Sequence, residues 1–129
     1  MTLAWHFAQN DMRLGHDDDR AIVVGETITV DPERLDLCKY GLHANVRIRD
    51  ALMQGSGCQI CRVRLSGKLL TGKDKLCASE RTVLWCVAGE PIFRAFARWC
   101  ALQVIYLWDA PAAVRQYLET GDESLRASA

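Results

Sequence analysis

Cysteine and histidine residues at two points of the chain have the spacing of a structural zinc site. Cys38 and His43 are separated by four residues, and Cys58 and Cys61 form a Cys-x2-Cys pair. Thiolates and imidazoles at such spacings are the usual ligands of tetrahedral zinc. A strand that began at Cys58 would, however, point Cys58 and Cys61 to opposite faces. Zinc is therefore one of several open alternatives for these four residues.

His6 and His43 are also candidates for ligand contact or catalysis. Each lies in a segment that we expect to be a strand, with the imidazole on the face opposite the apolar residues. A histidine in that position is most often a hydrogen-bonded structural residue, although titration near neutral pH also suits it to a switch. The sequence has no G-x-S-x-G, G-x-G-x-x-G or P-loop motif. No catalytic set is evident, so the residues favour a non-enzymatic protein over an enzyme.

The positive charge is concentrated in the middle of a chain whose net charge is zero. Residues 37–82 carry nine basic and three acidic side chains, whereas residues 1–36 carry three basic and eight acidic ones. A basic surface of this kind suits an acidic protein partner or nucleic acid. Aromatic residues for base stacking are missing between positions 41 and 84, which favours the protein partner. The candidate binding residues are Arg47, Arg49, Arg62, Arg64, Lys68, Lys73 and Lys75.

The spacing of apolar residues predicts strands in the first two thirds of the chain and helices in the last third. CQICRVRLSG is the clearest strand, with Cys61, Val63 and Leu65 on one face and two arginines on the other. Further elements are expected at 3–8, 21–30 and 81–87 as strands, at 46–54 as a short helix capped by Asn45, and over about 90–120 as two helices, the second capped by Asp109 and stopped by Gly121. This order predicts an α+β fold: a mostly antiparallel sheet, a short helix among the strands and two C-terminal helices packed on one face. We expect a single domain over residues 1–129.

Composition points to a globular protein without a membrane segment. Half of the residues are hydrophobic and a quarter are charged. No apolar run reaches the roughly 20 residues that span a bilayer, and the N-terminus does not resemble a secretory signal. We therefore expect a cytoplasmic protein, bacterial or in an infected host, with reduced thiols. Residues 90–107 are apolar enough to form a homodimer contact.

The order of the segments resembles a family of small phage- and prophage-encoded domains of unknown function. Its C-x-x-G-L-H-A signature corresponds to Cys38–Ala44, and the resemblance extends through CRVRLSG at 61–67 to the helical tail. It implies an accessory protein of the kind that mobile elements use to modulate a host. No activity comes with the family.

A weaker likeness is to the ADP-ribosyltransferase fold, which also has a histidine on an early strand. That resemblance implies NAD as a cofactor, with His6 at the nicotinamide ribose and Tyr40 or His43 near the nicotinamide. Glu80 or Glu90 would then have to supply the catalytic glutamate, although neither lies in a recognisable motif. Three functions stay open: partner binding through the basic residues, NAD-dependent enzyme chemistry, and a zinc-stapled interaction module.

Overall fold

Strands occupy the first two thirds of the chain and helices dominate the last third, as the apolar spacing predicts. The computed structural model describes residues 1–55 and 57–127. The chain divides into two compact units, Met1–Ala88 and Gly89–Ala129, which we call the N-terminal and C-terminal units. Antiparallel strands together with helices confirm the predicted α+β class. In the described residues no helix is both long and apolar enough to cross a bilayer.

In its described residues the N-terminal unit contains seven strands, one short α-helix and a 3-10 turn at Pro32–Arg34. The strands are β1 (Thr2–Ala8), β2 (Arg13–Gly15), β3 (Asp18–Ala21), β4 (Thr27–Thr29), β5 (Leu42–Ala44), β6 (Gln59–Thr71) and β7 (Leu76–Ala88), and the helix is α1 (Ile48–Gln54). β1 pairs with β6 and β6 with β7, all antiparallel. The other edge of β7 carries both β5 and β4, while β2 and β3 form a separate hairpin.

One bridge closes the main sheet on itself. Trp5 and Asn45 exchange two backbone hydrogen bonds of 2.7 and 2.9 Å, which join β1 to the residue that follows β5. The strands therefore run in the order β1, β6, β7, β5 and back to β1. A sheet curled in this way has an inner face with little room, and its lining is made of small and medium side chains such as Ala4, Cys61 and Val63.

Both faces of β1 carry buried residues, because Phe7 is 2 % exposed on the predicted core face and two alanines are buried on the other. Ala4 is 0 % exposed and Ala8 is buried, whereas Leu3 is 48 % exposed. His6 lies on the same side of the strand as the two alanines. His6 thus lies opposite Leu3, Trp5 and Phe7 as expected, but its own face also carries buried residues. Alanine fits the confined interior on one face, while on the other face Phe7 is buried and Leu3 is exposed.

The sequence pattern of β6 is confirmed, whereas two predicted helix caps are wrong. Cys61, Val63 and Leu65 are at most 1 % exposed, and the arginines between them are half-buried on the outer side. α1 begins after Arg47, because Asn45 is committed to the bridge with Trp5.

The C-terminal unit contains α2 (Glu90–Val104) and α3 (Ala112–Thr120) with short 3-10 turns at Ile105–Leu107 and Glu123–Leu125. No side chain caps α3, which begins after Pro111, so the predicted cap at Asp109 is wrong. Gly121 does end the helix: its φ is 70° and its N–H donates to the Tyr117 carbonyl oxygen. Neither helix contains a buried residue.

Candidate functional site

A cavity of about 600 Å³ lies within the N-terminal unit. That volume falls in the range of small-molecule sites, which span about 300–1,000 Å³. Its walls come from β1, the β2–β3 hairpin, the segment 37–43, α1 and β7. The side chains that bring charge or reactive chemistry to it are His6, Arg13, His16, Asp18, Cys38, Lys39, Tyr40, His43, Lys75 and Arg81.

Arg81 is the most unusual residue of this cavity. It projects from β7 and is 4 % exposed, and its Nη1 donates to the His43 carbonyl oxygen at 2.8 Å. No carboxylate of the described residues lies within 4.0 Å of the guanidinium. Burial lowers the pKa of Arg81 to about 10, so the group is still protonated at neutral pH. A buried cation without a counter-charge costs several kcal/mol, which calls for an explanation.

Two histidines lie beside this cation. His6 is opposite Cys61 in the β1–β6 register. Burial, the Arg81 charge and then His43 hold the pKa of His6 well below its usual value, so its imidazole is neutral. His43 Nε2 lies 2.8 Å from the Leu37 carbonyl oxygen. A carbonyl oxygen only accepts hydrogen bonds, so Nε2 carries a proton and donates it there.

The rim of the cavity is also positive. Lys75 Nζ lies 3.6 Å from Cys38 Sγ and, in the part of the chain that the structure describes, has no carboxylate within 4.0 Å. Lys39 and Arg13 add two exposed cations. Asp18 is the one lining carboxylate among the described residues, and Arg20 neutralises it at 2.8 Å. The cavity therefore presents excess positive charge.

The C-x-x-G-L-H-A segment shapes one wall. Tyr40 is held by backbone hydrogen bonds with Asp36, and the Arg34 guanidinium lies 4.1 Å from its ring centroid. Gly41 has φ 133°, and a Cβ there would lie 2.2 Å from Cys77 Sγ. Only glycine fits this turn, which leaves Tyr40 and His43 in the cavity lining.

Three of the four candidate catalytic residues meet in the cavity. His6, Tyr40 and His43 all line it. Glu80 does not: it lies on β7 next to Arg81 but outside the lining, and its Oε2 accepts a hydrogen bond from Ser66 Oγ at 2.9 Å. Arg81 was missed by sequence reasoning, because RTVLWCV looks like an apolar buried strand. A lone arginine at the start of such a strand is the signal that could have found it.

The four candidate zinc ligands are not brought together. Within residues 1–55 and 57–127, no three His, Cys, Asp or Glu side chains form a group that could hold a metal ion. Cys61 is buried on β6, and burial raises the pKa of its thiol to about 11. That opposes the thiolate that zinc binding requires. His43 Nε2 is already bonded to Leu37.

The seven candidate basic residues do not form one surface. Arg47 pairs with Asp50 at 2.9 Å, Lys68 lies 3.7 Å from Glu33, and Lys75 lines the cavity. Arg49 and Lys73 are exposed on α1 and on the β6–β7 turn, respectively. Arg62 and Arg64 are half-buried on the outer face of β6.

Arg62 belongs to a row of aromatic and cationic side chains across three strands. The strand registers place Trp5, Arg62 and Trp85 side by side. The Arg62 guanidinium lies 4.6 Å from the Trp5 ring centroid, and the two indole rings meet edge to face at 5.8 Å. Trp85 is 46 % exposed. We call these three residues the outer row.

Comparisons of the chain with protein-family models, with curated proteins and with solved structures find no match.

Proposed function

We propose that the N-terminal unit binds a small organic anion in its cavity. The observation that carries the proposal is Arg81, a buried guanidinium whose charge no carboxylate of the described residues balances. Burying such a charge costs stability, and an anionic ligand supplies the missing counter-charge. The basic rim and the neutralised Asp18 act in the same direction.

The shape of the site supports a small ligand. The cavity is concave, and apolar side chains such as Phe7, Leu37 and Leu42 share its lining with a few polar groups. Apolar walls with a small number of placed polar groups are typical of small-molecule sites.

A nucleotide such as NAD is one candidate within this class. The resemblance to the ADP-ribosyltransferase fold implies it, and the presence of His6, Tyr40 and His43 in one cavity supports it. Glu80 lies outside the lining and is bonded to Ser66. We therefore propose binding and no transfer reaction.

The test is a binding titration with inorganic phosphate, ADP and NAD at constant ionic strength, followed by thermal unfolding and calorimetry. An anion at a hundred times its Kd should add about 2.7 kcal/mol to the free energy of unfolding. Arg81→Lys keeps the charge but loses the planar donor fork, and we expect it to weaken binding at least about tenfold. Arg49→Gln, an exposed control on α1, should leave affinity unchanged. Binding that is unchanged in Arg81→Lys would contradict the proposal, and so would the absence of any anion binding by the wild type.

We propose a second function for the outer row, the capture of an acidic protein surface. Trp and Arg are the residue types that dominate the energy of protein interfaces, and here they are adjacent, with Trp85 exposed and Arg62 half-buried. This is the accessory role that the resemblance to phage-encoded domains implies. The probes are polyglutamate and a single-stranded oligonucleotide.

We expect polyglutamate to bind in a salt-dependent way and the double variant Arg62→Glu with Arg64→Glu to abolish the binding. Its stability should change by no more than about 1 kcal/mol, because both residues lie on the outer face. Arg49→Glu with Lys73→Glu matches the charge change away from that face and should bind normally. Preferential binding of the oligonucleotide would replace the acidic protein with nucleic acid as the partner.

A further inference from the structure

His43 lies near both cationic side chains that the cavity proposal uses, Arg81 and Lys75. Its backbone carbonyl oxygen accepts from Arg81 Nη1, whereas its ring Nε2 donates to the Leu37 carbonyl oxygen. Leu37 adjoins Cys38, whose Sγ is 3.6 Å from Lys75 Nζ. The guanidinium therefore contacts the backbone of His43, the ammonium lies beside the neighbour of the residue that the His43 ring contacts, and both line the same cavity.

The Arg81 guanidinium has further hydrogen-bond donors that a ligand can use. Nη1 of Arg81 donates to the His43 carbonyl oxygen, and this is the one hydrogen bond that the guanidinium makes among the described residues. Since no fully buried side-chain nitrogen there lacks a partner, Nε and Nη2 keep some exposed surface. These two nitrogens lie on one edge of the guanidinium. Parallel N–H donors on such an edge match the two oxygens of a carboxylate or a phosphate.

The outer cation is a separate point charge. Lys75 is half-buried. Among the described residues, its Nζ has one side-chain hydrogen-bond partner, Cys38 Sγ. Its three ammonium donors fit an acidic oxygen but impose little geometry. A single oxoacid group that is bound at Arg81 leaves this second charge unbalanced.

We infer that the cavity takes an organic anion with two oxoacid groups, one at each end of an uncharged body. This inference rests on the proposed function of the cavity and specifies its ligand class. The first acid group binds the Nε–Nη2 edge of Arg81 and the second binds Lys75. The body between them lies along His43 and the apolar wall formed by Leu37 and Leu42.

The test compares acids of equal length that carry one or two acidic groups. The probes are hexanoate with adipate, and hexyl phosphate with hexane-1,6-bisphosphate, together with shorter and longer dicarboxylates. Calorimetric titration at fixed ionic strength measures each Kd on the full chain. We expect the two-acid ligand to bind at least about tenfold tighter than its one-acid counterpart, with a maximum affinity at one chain length. The carboxylate and phosphate pairs show which oxoacid the site prefers.

Two variants assign the ends. Lys75→Gln should reduce the advantage of the second acid group to about the twofold statistical factor while the one-acid ligand binds as before. Arg81→Lys should weaken both ligands. Lys73→Gln removes an exposed lysine outside the lining and serves as the matched control. Near-ultraviolet circular dichroism checks that each variant is folded.

The outcomes separate the two proposals. Equal affinity for one-acid and two-acid ligands, with dependence on Arg81, would overturn the two-ended ligand and keep the anion site. Tighter binding of two-acid ligands that persists in Lys75→Gln would also overturn it. Absence of any Arg81-dependent binding would remove the anion site and this inference together.

Discussion

At the residue scale, the buried charge of Arg81 lowers the stability of the ligand-free protein and favours the binding of an anion. Its charge is buried with one hydrogen bond, to the His43 carbonyl oxygen, and with no acidic partner among the described residues. Residues kept for structure normally have their charges paired. A group that is costly in the empty protein and balanced by a ligand is typical of a binding site.

Replacing Arg81 with methionine should therefore abolish anion binding without unfolding the protein. The variant removes an uncompensated buried charge, which costs several kcal/mol, and loses one charge-assisted hydrogen bond worth about 1.5–3 kcal/mol. We expect the free energy of unfolding of the ligand-free variant to equal or exceed that of the wild type in urea titrations. A loss of more than about 3 kcal/mol would show that Arg81 is a structural residue instead.

His6 should make stability depend on pH. Its pKa in the folded protein lies well below the unfolded value of 6.5, because of burial, Arg81 and His43 in that order. The unfolded chain therefore binds a proton that the folded chain does not, and stability falls as the pH drops below about 6.5. The groups around the imidazole are His43 on β5, Arg81 on β7 and Cys61 on β6, and the thiol, with its pKa raised to about 11, stays neutral throughout this range.

The measurement is chemical unfolding between about pH 7.5 and 5 for the wild type and two variants. His6→Gln should reduce the slope of stability against pH by up to one proton. His16→Gln removes an exposed histidine of the β2–β3 turn and is the matched control for the substitution itself. Identical slopes in the wild type and His6→Gln would show that His6 is protonated as readily in the folded state as in the unfolded one.

At the element scale, the sequence predicted the elements whose pattern is local. β6 alternates as expected because one face is core and the other is solvent, and the stop of α3 at Gly121 follows from one backbone conformation. The caps at Asn45 and Asp109 failed for a different reason. Asn45 is used by a bridge to Trp5, 40 positions away in the chain, and local sequence carries no record of that contact.

Long-range contacts also explain why the sequence did not predict the cavity. His6, Tyr40 and His43 were identified as chemically capable residues, but their meeting in one cavity depends on how the sheet closes. Arg81 was overlooked because its neighbours are apolar. A charged residue in such a strand nevertheless indicates a buried charge, which proteins rarely keep without a partner or a ligand. The resemblance to phage-encoded domains and the choice of partner stay predictions.

α2 has an apolar stripe that suits a second copy of the chain. Ile92, Phe96 and Trp99 fall on one side of the helix at i, i+4 and i+7 spacing and are 50, 63 and 57 % exposed. The rings of Phe96 and Trp99 stack with centroids 6.2 Å apart. Within the described residues of the C-terminal unit nothing buries this stripe, so homodimer formation through residues 90–107 stays our prediction.

Sedimentation velocity at rising protein concentration tests it. We expect the wild type to shift toward a dimer and Phe96→Glu to stay monomeric, because a charge in an apolar contact costs several kcal/mol. Ala97→Glu adds the same charge on a different side of α2 and should dimerise. A monomeric wild type at all concentrations would assign the stripe another role.

At the scale of the whole molecule, the chain divides into two units, and the cavity belongs to one of them. Every residue that lines it lies within Met1–Ala88, and the bridge that closes the sheet is in the same range. The core cluster of Ala4, Cys61, Val63 and Val83 is also contained there. The described part of the binding site is thus complete without the C-terminal helices.

We therefore expect a fragment of residues 1–88 to fold and to bind anions with the affinity of the full chain. Domains of this size fold alone when they retain their core, although with a smaller margin of stability than longer chains. The experiment compares cooperative urea unfolding and calorimetric titration of the fragment with those of the full protein, and the fragment with Arg81→Lys is the control for site-specific binding. Cooperative unfolding with an unchanged Kd would assign binding to the N-terminal unit alone. A fragment that is unfolded would show that the C-terminal helices stabilise the sheet and that the chain folds as the single domain expected from its length.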